Sequence, residues 1–382
     1  MNIIKKRIGI IGGGQLGKMM ILEAKRLGLY VTVLDPAADC PAQSVCDELI
    51  VADLNGDAGY FELAKKSDVI TYEWELINAA PLEALEREGH TIYPSVKSLK
   101  TIQNKYSQKK ALDECGIPVP RFAGVSCVEE ILKCGESFGY PLVLKTTTGG
   151  YDGKGVALVE DAYGAQSAYH KLGSGAKGLM VEEFIAFDKE ISVIACRGID
   201  GARVIYPVAE NIHVDSILDT TIVPARIGGA IADKAAAIAD KVMDVFAGVG
   251  TFCAELFVAK DGEIYVNEVA PRPHNSGHYT IEGCFANQFE NHIRAITGLP
   301  LGSVSLISPT VMVNLLGESD GTAKLEGIGE AYLDPNVRVH FYGKGESKAG
   351  RKMGHFTVAD ETADGAIEKA RQARRLVRVV GE

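Results

Sequence analysis

The stretch Thr251 to Glu268, TFCAELFVAKDGEIYVNE, sets two apolar runs on either side of Asp261-Gly262, the short-range signal for a two-residue β-hairpin turn. With Lys260 paired to Glu263, the register places Glu255 directly opposite Glu268 on one face of the hairpin. Like charges in that position repel. A divalent cation with hard oxygen ligands relieves the repulsion, and Mg2+ (or Mn2+) is the natural choice. The plainer alternative is that both carboxylates point into water.

Upstream, Lys145-Thr-Thr-Thr-Gly149-Gly150-Tyr151-Asp152-Gly153-Lys154-Gly155 joins two strand-like runs, PLVLK at 141–145 and VALVE at 156–160. It is not the strand-to-helix loop of a Walker ATPase, and no Ser or Thr follows Lys154. The spacing reads as a flexible hairpin flap whose backbone amides fold over an anion, with Lys145 carrying charge to phosphates. Lys105 is a second candidate clamp, although a lone lysine is ordinarily a solvated surface charge. Glu182-Glu183-Phe184-Ile185 ends a strand with carboxylates beside apolar residues, and Glu190 follows on the next. That pattern resembles a slot for adenine and ribose.

Further out, RIGII at 7–11, a helix at 15–27 and LYVTVL at 29–34 make a β-α-β unit. Within it, Gly12-Gly13-Gly14-Gln15-Leu16-Gly17 fits the dinucleotide pattern G-x-G-x-x-G, and Asp35 stands at about the ribose-binding spacing. Such a loop admits a phosphate at a helix N-terminus without saying which phosphate. NAD or FAD, another phosphate, or a tight-turn role all stay open. Strands are expected at 49–52, 68–72 and 91–93, the last stopped by Pro94. A helix over 98–114 bridges to a middle unit in which strands at 141–145, 156–160, 179–185 and 190–196 flank glycine loops with no helices between them. A helix at about 231–248 precedes the 252–269 strand pair. After Pro300 a strand-rich segment closes with a basic helix at 361–376. The expected division is 1–100, α/β and Rossmann-like; 101–300, α+β, with a flap subdomain at about 118–185; and 301–382, small and strand-rich.

Composition narrows the partners. A net charge of −10 repels nucleic acid as a whole, so an anionic ligand must be met by local Lys and Arg. None of the eight cysteines forms a C-x-x-C pair, which points away from zinc and disulfide frameworks and toward a reducing cytoplasm. No apolar run reaches the ~20 residues of a membrane span. The expectation is a soluble enzyme acting on small molecules.

Taken together, GGGQLGKM at 12–19, KTTTGGYDGKG at 145–155, EEFI at 182–185, ENIH at 210–213, NEVAPRPHNSGH at 267–278 and YGKGESKAGRKMGH at 342–355 resemble the ATP-grasp superfamily. More closely, and over essentially the whole chain, they resemble the N5-carboxyaminoimidazole ribonucleotide synthases. The resemblance implies a Rossmann-like pre-ATP-grasp domain, an ATP-grasp domain and a small C-terminal domain. It implies ATP as co-substrate, with Lys105 and Lys145 on its phosphates, Gly150 to Val156 as the covering loop, residues 182–185 at adenine and Glu190 at the ribose. His213 and Asn267 lie beside the nucleotide, and Glu255 and Glu268 hold Mg2+. Arg272, His274, Asn275 and Ser276 form the bicarbonate and carboxyphosphate pocket, where a planar guanidinium suits a planar oxyanion. Gln15, Tyr151, Asp152, Lys344 and Arg351 take aminoimidazole ribonucleotide, the last two on its 5′-phosphate. A homodimer and a hand-off of product to a carboxyaminoimidazole ribonucleotide mutase are further family expectations. The sequence departs from the superfamily pattern at Ala270, where many members carry Asn two residues past the second metal carboxylate, and at Lys105, where relatives carry Arg. Rival readings are another carboxylate–amine ligase or a biotin carboxylase, which lack the 342–355 pattern, a nicotinamide-dependent oxidoreductase, and a non-catalytic nucleotide sensor.

Overall fold

The computed structural model describes residues 6–150 and 153–382. The chain opens with β1 (Arg7–Ile11), α1 (Gln15–Arg26), β2 (Tyr30–Asp35), β3 (Glu48–Val51), α2 (Ala58–Lys66), β4 (Val69–Tyr72) and α3 (Ala79–Arg87). The four strands form a parallel sheet in the order β3-β2-β1-β4. Ile8, Ile10 and Ile11 are all fully buried, as expected of a parallel strand covered on both faces. The strand expected at 91–93 is reduced to one bridge between Ile70 and Ile92, because Pro94 has no N–H with which to continue a ladder.

The bridging helix expected over 98–114 is in fact two helices, α4 (Val96–Gln103) and α5 (Lys105–Glu114). Asn104 breaks the run with extended backbone, and its side chain caps α5 by accepting from the Ser107 amide at 3.0 Å. Lys105 therefore starts a helix, and its amide donates to the Thr147 carbonyl at 2.8 Å, tying the helix to the root of the glycine flap.

The flap unit comprises β5 (Phe122–Val125), α6 (Val128–Phe138), β6 (Leu142–Thr146), β7 (Val156–Val159), α7 (Gly164–Lys171) and β8 (Leu179–Glu183). Its sheet is antiparallel in the order β5-β8-β6-β7. The expectation of no helices between these strands is corrected by α7, which lies between β7 and β8, and α6, ahead of β6, is a helix that the sequence reading did not include. Val128, Ile131, Leu132 and Phe138 recur at helical spacing and pack on Leu142 and Leu144. Glu129 and Glu130 favour the first turn of α6.

Next come β9 (Phe187–Arg197), β10 (Arg203–Ile205), β11 (Ala209–Val214), β12 (Ile217–Val223), α8 (Gly229–Phe246), β13 (Gly250–Ala259), β14 (Ile264–Ala270), α9 (Thr280–Gly283) and α10 (Gln288–Thr297). The chain closes with β15 (Thr310–Leu316), β16 (Gly321–Glu326), α11 (Ile328–Ala331), β17 (Val337–Phe341), β18 (Glu346–Ser347), β19 (Lys352–Ala359), α12 (Ala363–Arg374) and β20 (Arg378–Gly381). One large sheet runs β14-β13-β9-β11-β12-β15-β19-β17, with β10 paired to β9. Strands from beyond residue 300 thus continue the middle sheet through the β12–β15 pairing. β18, β16 and β20 make a separate small sheet. α8 lays Ile238, Val242, Met243 and Phe246 against Phe252, Leu256 and Val266, a hydrophobic layer that fixes the back of the β13–β14 hairpin. The eight cysteines are free. Among the described residues no helix is long and apolar enough to cross a membrane.

Glu255 does pair with Glu268, but by another route than the one expected. The turn is a three-residue loop, with the Ala259 amide on the Glu263 carbonyl at 2.8 Å and Gly262 at φ 85°, a type I turn closed by a left-handed glycine. This moves the register by one residue, so that Leu256 faces Val266. A bulge between Glu255 and Leu256 then leaves Asn267 as the extra residue and brings the two glutamates opposite again.

Candidate active site

The bulge on β14 lets neighbouring side chains reach one pocket, where strict alternation would send them to opposite faces. Asn267 Oδ1 accepts from Lys145 Nζ at 3.2 Å, and Glu268 pairs with Lys105. Lys145, on β6, also meets Glu182 Oε2 at 2.8 Å. Across the hairpin, Glu255 Oε1 lies 2.9 Å from His274 Nε2. Burial alone would push the Glu255 carboxyl up; the His274 imidazolium reverses this and holds it well below the usual range. Each of the opposed carboxylates is thus matched by a resident cation. The pair is a donor set of the kind that a hard divalent ion takes. Among the described residues no group of three or more His, Cys, Asp and Glu forms a complete metal cage.

The nucleotide slot expected from 182–190 divides by strand alternation. Glu182 is buried, whereas Glu183 turns outward into a bidentate pair with Arg121 at 2.8 and 3.0 Å. Phe184 is exposed, Ile185 is partly buried, and nearby Phe187 stacks on Phe257 with ring centroids 4.7 Å apart. Glu190 lies 2.6 Å from His213. Burial disfavours the His213 imidazolium, but Glu190 outweighs it and the histidine is raised. Of the covering loop, Tyr151 and Asp152 lie outside the described residues. The Gly155 carbonyl accepts from the Thr146 amide at 2.9 Å, and Lys154 and Val156 complete the return into β7. Gly153 has φ 73°, and a Cβ there would stand 2.5 Å from Ser216, so the flap meets the β11–β12 turn where only glycine fits.

The 272–278 loop is held from several sides. Arg272 is clamped by both oxygens of Glu75, Nη2 donating to Oε1 at 2.8 Å, while Nη1 donates to the Pro273 carbonyl at 3.1 Å. One N–H on each terminal nitrogen is left beyond these bonds. His274 Nδ1 meets Ser276 Oγ at 2.9 Å, and Ser192 Oγ lies 2.7 Å from the same hydroxyl. Asn275 exchanges two side-chain hydrogen bonds with Asn314 of β15, at 3.0 and 2.7 Å. The side chains of Asn275 and Ser276 are therefore spent on fixing the loop. Gln288 acts like a neighbouring strand: its Oε1 accepts from the His274 amide at 2.9 Å, and its Nε2 donates to the His274 carbonyl at 2.7 Å.

The basic residues at 344 and 351 are each held by a nearby backbone carbonyl. Lys344 Nζ donates to the Lys352 carbonyl at 2.6 Å, and Arg351 to the Glu346 carbonyl at 2.8 Å. Burial, then Arg351, pulls Lys344 down to about 8. Lys18, one turn after Gln15, reaches the Tyr342 carbonyl at 3.0 Å. The glycine loop itself is already filled. Glu73 accepts from the amides of Gly14 and Gly17, the latter at 2.6 Å, and Asp35 accepts from Gly13 at 2.7 Å. The amides that a dinucleotide phosphate would need are taken by the chain's own carboxylates, which argues against the oxidoreductase reading. Lys18, Glu73, Glu75, Lys109 and Gln288 were not singled out from the sequence. Glu73 and Glu75 carried one usable signal, since both follow the C-terminal end of β4, the edge of a parallel sheet where ligands gather.

Three family models cover most of the chain: a ribonucleotide synthetase preATP-grasp domain at 5–103, an ATP-grasp domain at 110–289 and a phosphoribosylaminoimidazole carboxylase C-terminal domain at 310–369. The N5-carboxyaminoimidazole ribonucleotide synthase of Bacillus subtilis is 43% identical over 363 residues, 95% of this chain and 93% of the relative. The crystal structure of the synthetase from Thermotoga maritima superposes with a TM-score of 0.90 at 45% identity, covering 99% of this chain and 100% of the other. The Aspergillus clavatus synthase in complex with ADP and 5-aminoimidazole ribonucleotide gives a TM-score of 0.90 at 34% identity, covering 98% and 99%. With its glycine loop internally capped, its opposed glutamates in one pocket and these relatives spanning its length, the chain belongs to the N5-carboxyaminoimidazole ribonucleotide synthase family, ATP-dependent ligases that carboxylate aminoimidazole ribonucleotide in purine biosynthesis.

Proposed function

We propose that this chain joins bicarbonate to the exocyclic amine of aminoimidazole ribonucleotide through carboxyphosphate, with ATP as phosphate donor. The observation that carries the reading is the Glu255–Glu268 pair facing two lysines, each parked on an acidic partner. In this assignment Lys105 and Lys145 leave those partners for the triphosphate, residues 182–185 and Glu190 receive adenine and ribose, and His213 and Asn267 line the slot. Glu255 and Glu268 hold Mg2+. Bound there, such an ion would supply positive charge against the negative charge that builds on the phosphates.

Arg272 offers its two remaining N–H groups to bicarbonate and then to carboxyphosphate, beside His274 and the loop at Asn275 and Ser276. Glu75 keeps that guanidinium from rotating away. Gln15, Tyr151, Lys344 and Arg351 hold the ribonucleotide, and Asp152, or the phosphate released in the first step, takes the proton from its amine. Closure of 150–156 over the nucleotide excludes water, which would otherwise hydrolyse the mixed anhydride. The segments 1–100, 101–300 and 301–382 would each bring one face of this pocket. Action as a homodimer and transfer of product to a mutase rest on family membership alone.

The test is phosphate release from Mg-ATP and bicarbonate with and without the ribonucleotide, using Glu268→Ala as comparison. Stimulation by the ribonucleotide that falls by at least ~100-fold in the variant is expected. No stimulation in a protein that still binds ATP would move the acceptor assignment to another amine.

A further inference from the structure

Lys109 lies four residues beyond Lys105, on the same face of α5. Its side chain is 2% exposed, buried with the equally hidden Glu182. Its Nζ donates to the Val266 carbonyl at 2.8 Å and stands 3.4 Å from Glu182 Oε1. The other oxygen of the same carboxylate, Oε2, is held by Lys145 at 2.8 Å. One buried carboxylate is therefore shared by two lysines that are not equivalent. Lys109 is pinned by the Val266 carbonyl and closed off, whereas Lys145 is 13% exposed and also reaches Asn267 at the metal hairpin.

If Lys145 serves the phosphates, it has to leave Glu182 when nucleotide arrives. A buried carboxylate stripped of its only counter-charge is strongly disfavoured. We propose that Lys109 is the permanent counter-ion of Glu182, so that Lys145 can pass between this carboxylate and the nucleotide phosphates. Lys109 is then a positioning residue, acting on ATP through Lys145 and touching no substrate. Burial would push the Glu182 carboxyl up, yet Lys109 and Lys145 together hold it below the usual range, as expected of a carboxylate that stays ionised. The inference rests on the assignment of Lys145 to the ATP phosphates.

A double-mutant cycle tests it. Lys109→Gln keeps a donor for the Val266 carbonyl and removes the charge. With Glu182 then dependent on Lys145, KM for ATP should rise by about tenfold or more, while KM for bicarbonate and the ribonucleotide stay near the wild-type values. In the Glu182→Gln background, where no carboxylate at 182 holds Lys145, the same substitution should change KM for ATP by less than about twofold. That double variant leaves no unpaired buried charge, so if the single variant folds poorly the double variant should recover folding, and failure to recover it would overturn the proposal. Equal costs in both backgrounds, or none in either, would overturn the proposal. Lys145→Met separates the premise from the inference. If it leaves KM for ATP unchanged, the phosphate assignment fails and the inference with it. If it raises KM while Lys109→Gln does not, only the inference falls.

Discussion

Replacing His292 by glutamine should make the protein less stable near neutrality and less acid-sensitive. His292 is fully buried on α10 and joins two parts of the chain: its Nδ1 accepts from the Thr251 amide of β13 at 3.1 Å, and its Nε2 lies 2.8 Å from Thr71 Oγ1 of β4. An amide pointing at Nδ1 leaves no room for a second proton, and burial pulls the group down to about 3. The unfolded chain, with a value of ~6.5, binds the proton that the folded chain refuses. Stability is therefore lost as pH falls below ~6.5, and one such histidine costs about 2 kcal/mol at pH 5. That figure hardly depends on the folded value, provided it lies well under 5. Glutamine loses part of the hydrogen bonding, which costs ~1–3 kcal/mol near pH 7.5, but it has no proton to bind. Urea denaturation followed by the fluorescence of Trp74, the sole tryptophan and three residues from Thr71, reports this joint. The gap between wild type and variant should shrink by about 2 kcal/mol between pH 7.5 and pH 5. A gap of the same size at both values would refute the reasoning.

With Lys344 pulled down to about 8, kcat/KM for the ribonucleotide should fall roughly tenfold per unit above that pH if its ammonium holds the phosphate as proposed. Lys344→Arg should carry the falling limb to higher pH; a profile identical in both proteins would remove Lys344 from the phosphate site. Gln288→Glu puts an acceptor against the His274 carbonyl, where Nε2 now donates, and should raise KM for bicarbonate roughly tenfold while KM for ATP moves much less. Initial rates with each substrate varied in turn would check it, and equal changes in both would indicate general loosening.

The elements of the first hundred residues were legible because strand and helix periods alternate there and the glycine turn is explicit. What could not be read was the content of the turn: Glu73 is far from Gly14 along the chain, and only the closing of the parallel sheet brings them together. The opposed glutamates were found with the wrong turn. Two local deviations, a glycine-closed loop and a bulge at Asn267, cancel in register, and neither leaves a mark in hydrophobic alternation. α7, eight residues between two strong strand signals, leaves little helical pattern to read, whereas α6 carries that pattern in Val128, Ile131, Leu132 and Phe138. The lysines were visible as residue types, but their present partners, Glu182 and Glu268, follow from packing across the sheets. The clamp on Arg272 joins residues 197 apart, a relation no spacing rule contains.

The β12–β15 pairing and the mutual grip of Asn275 and Asn314 have a consequence for how this chain can be divided. β15 is chemically a middle strand, with β12 on one edge and β19 on the other. Protein ending after α10 would present β12 as a bare strand edge and free the 272–278 loop from its latch on Asn314. The final third is thus less a bolt-on module than a load-sharing wall, and the two halves of a split version would regain activity only by completing one another's sheet.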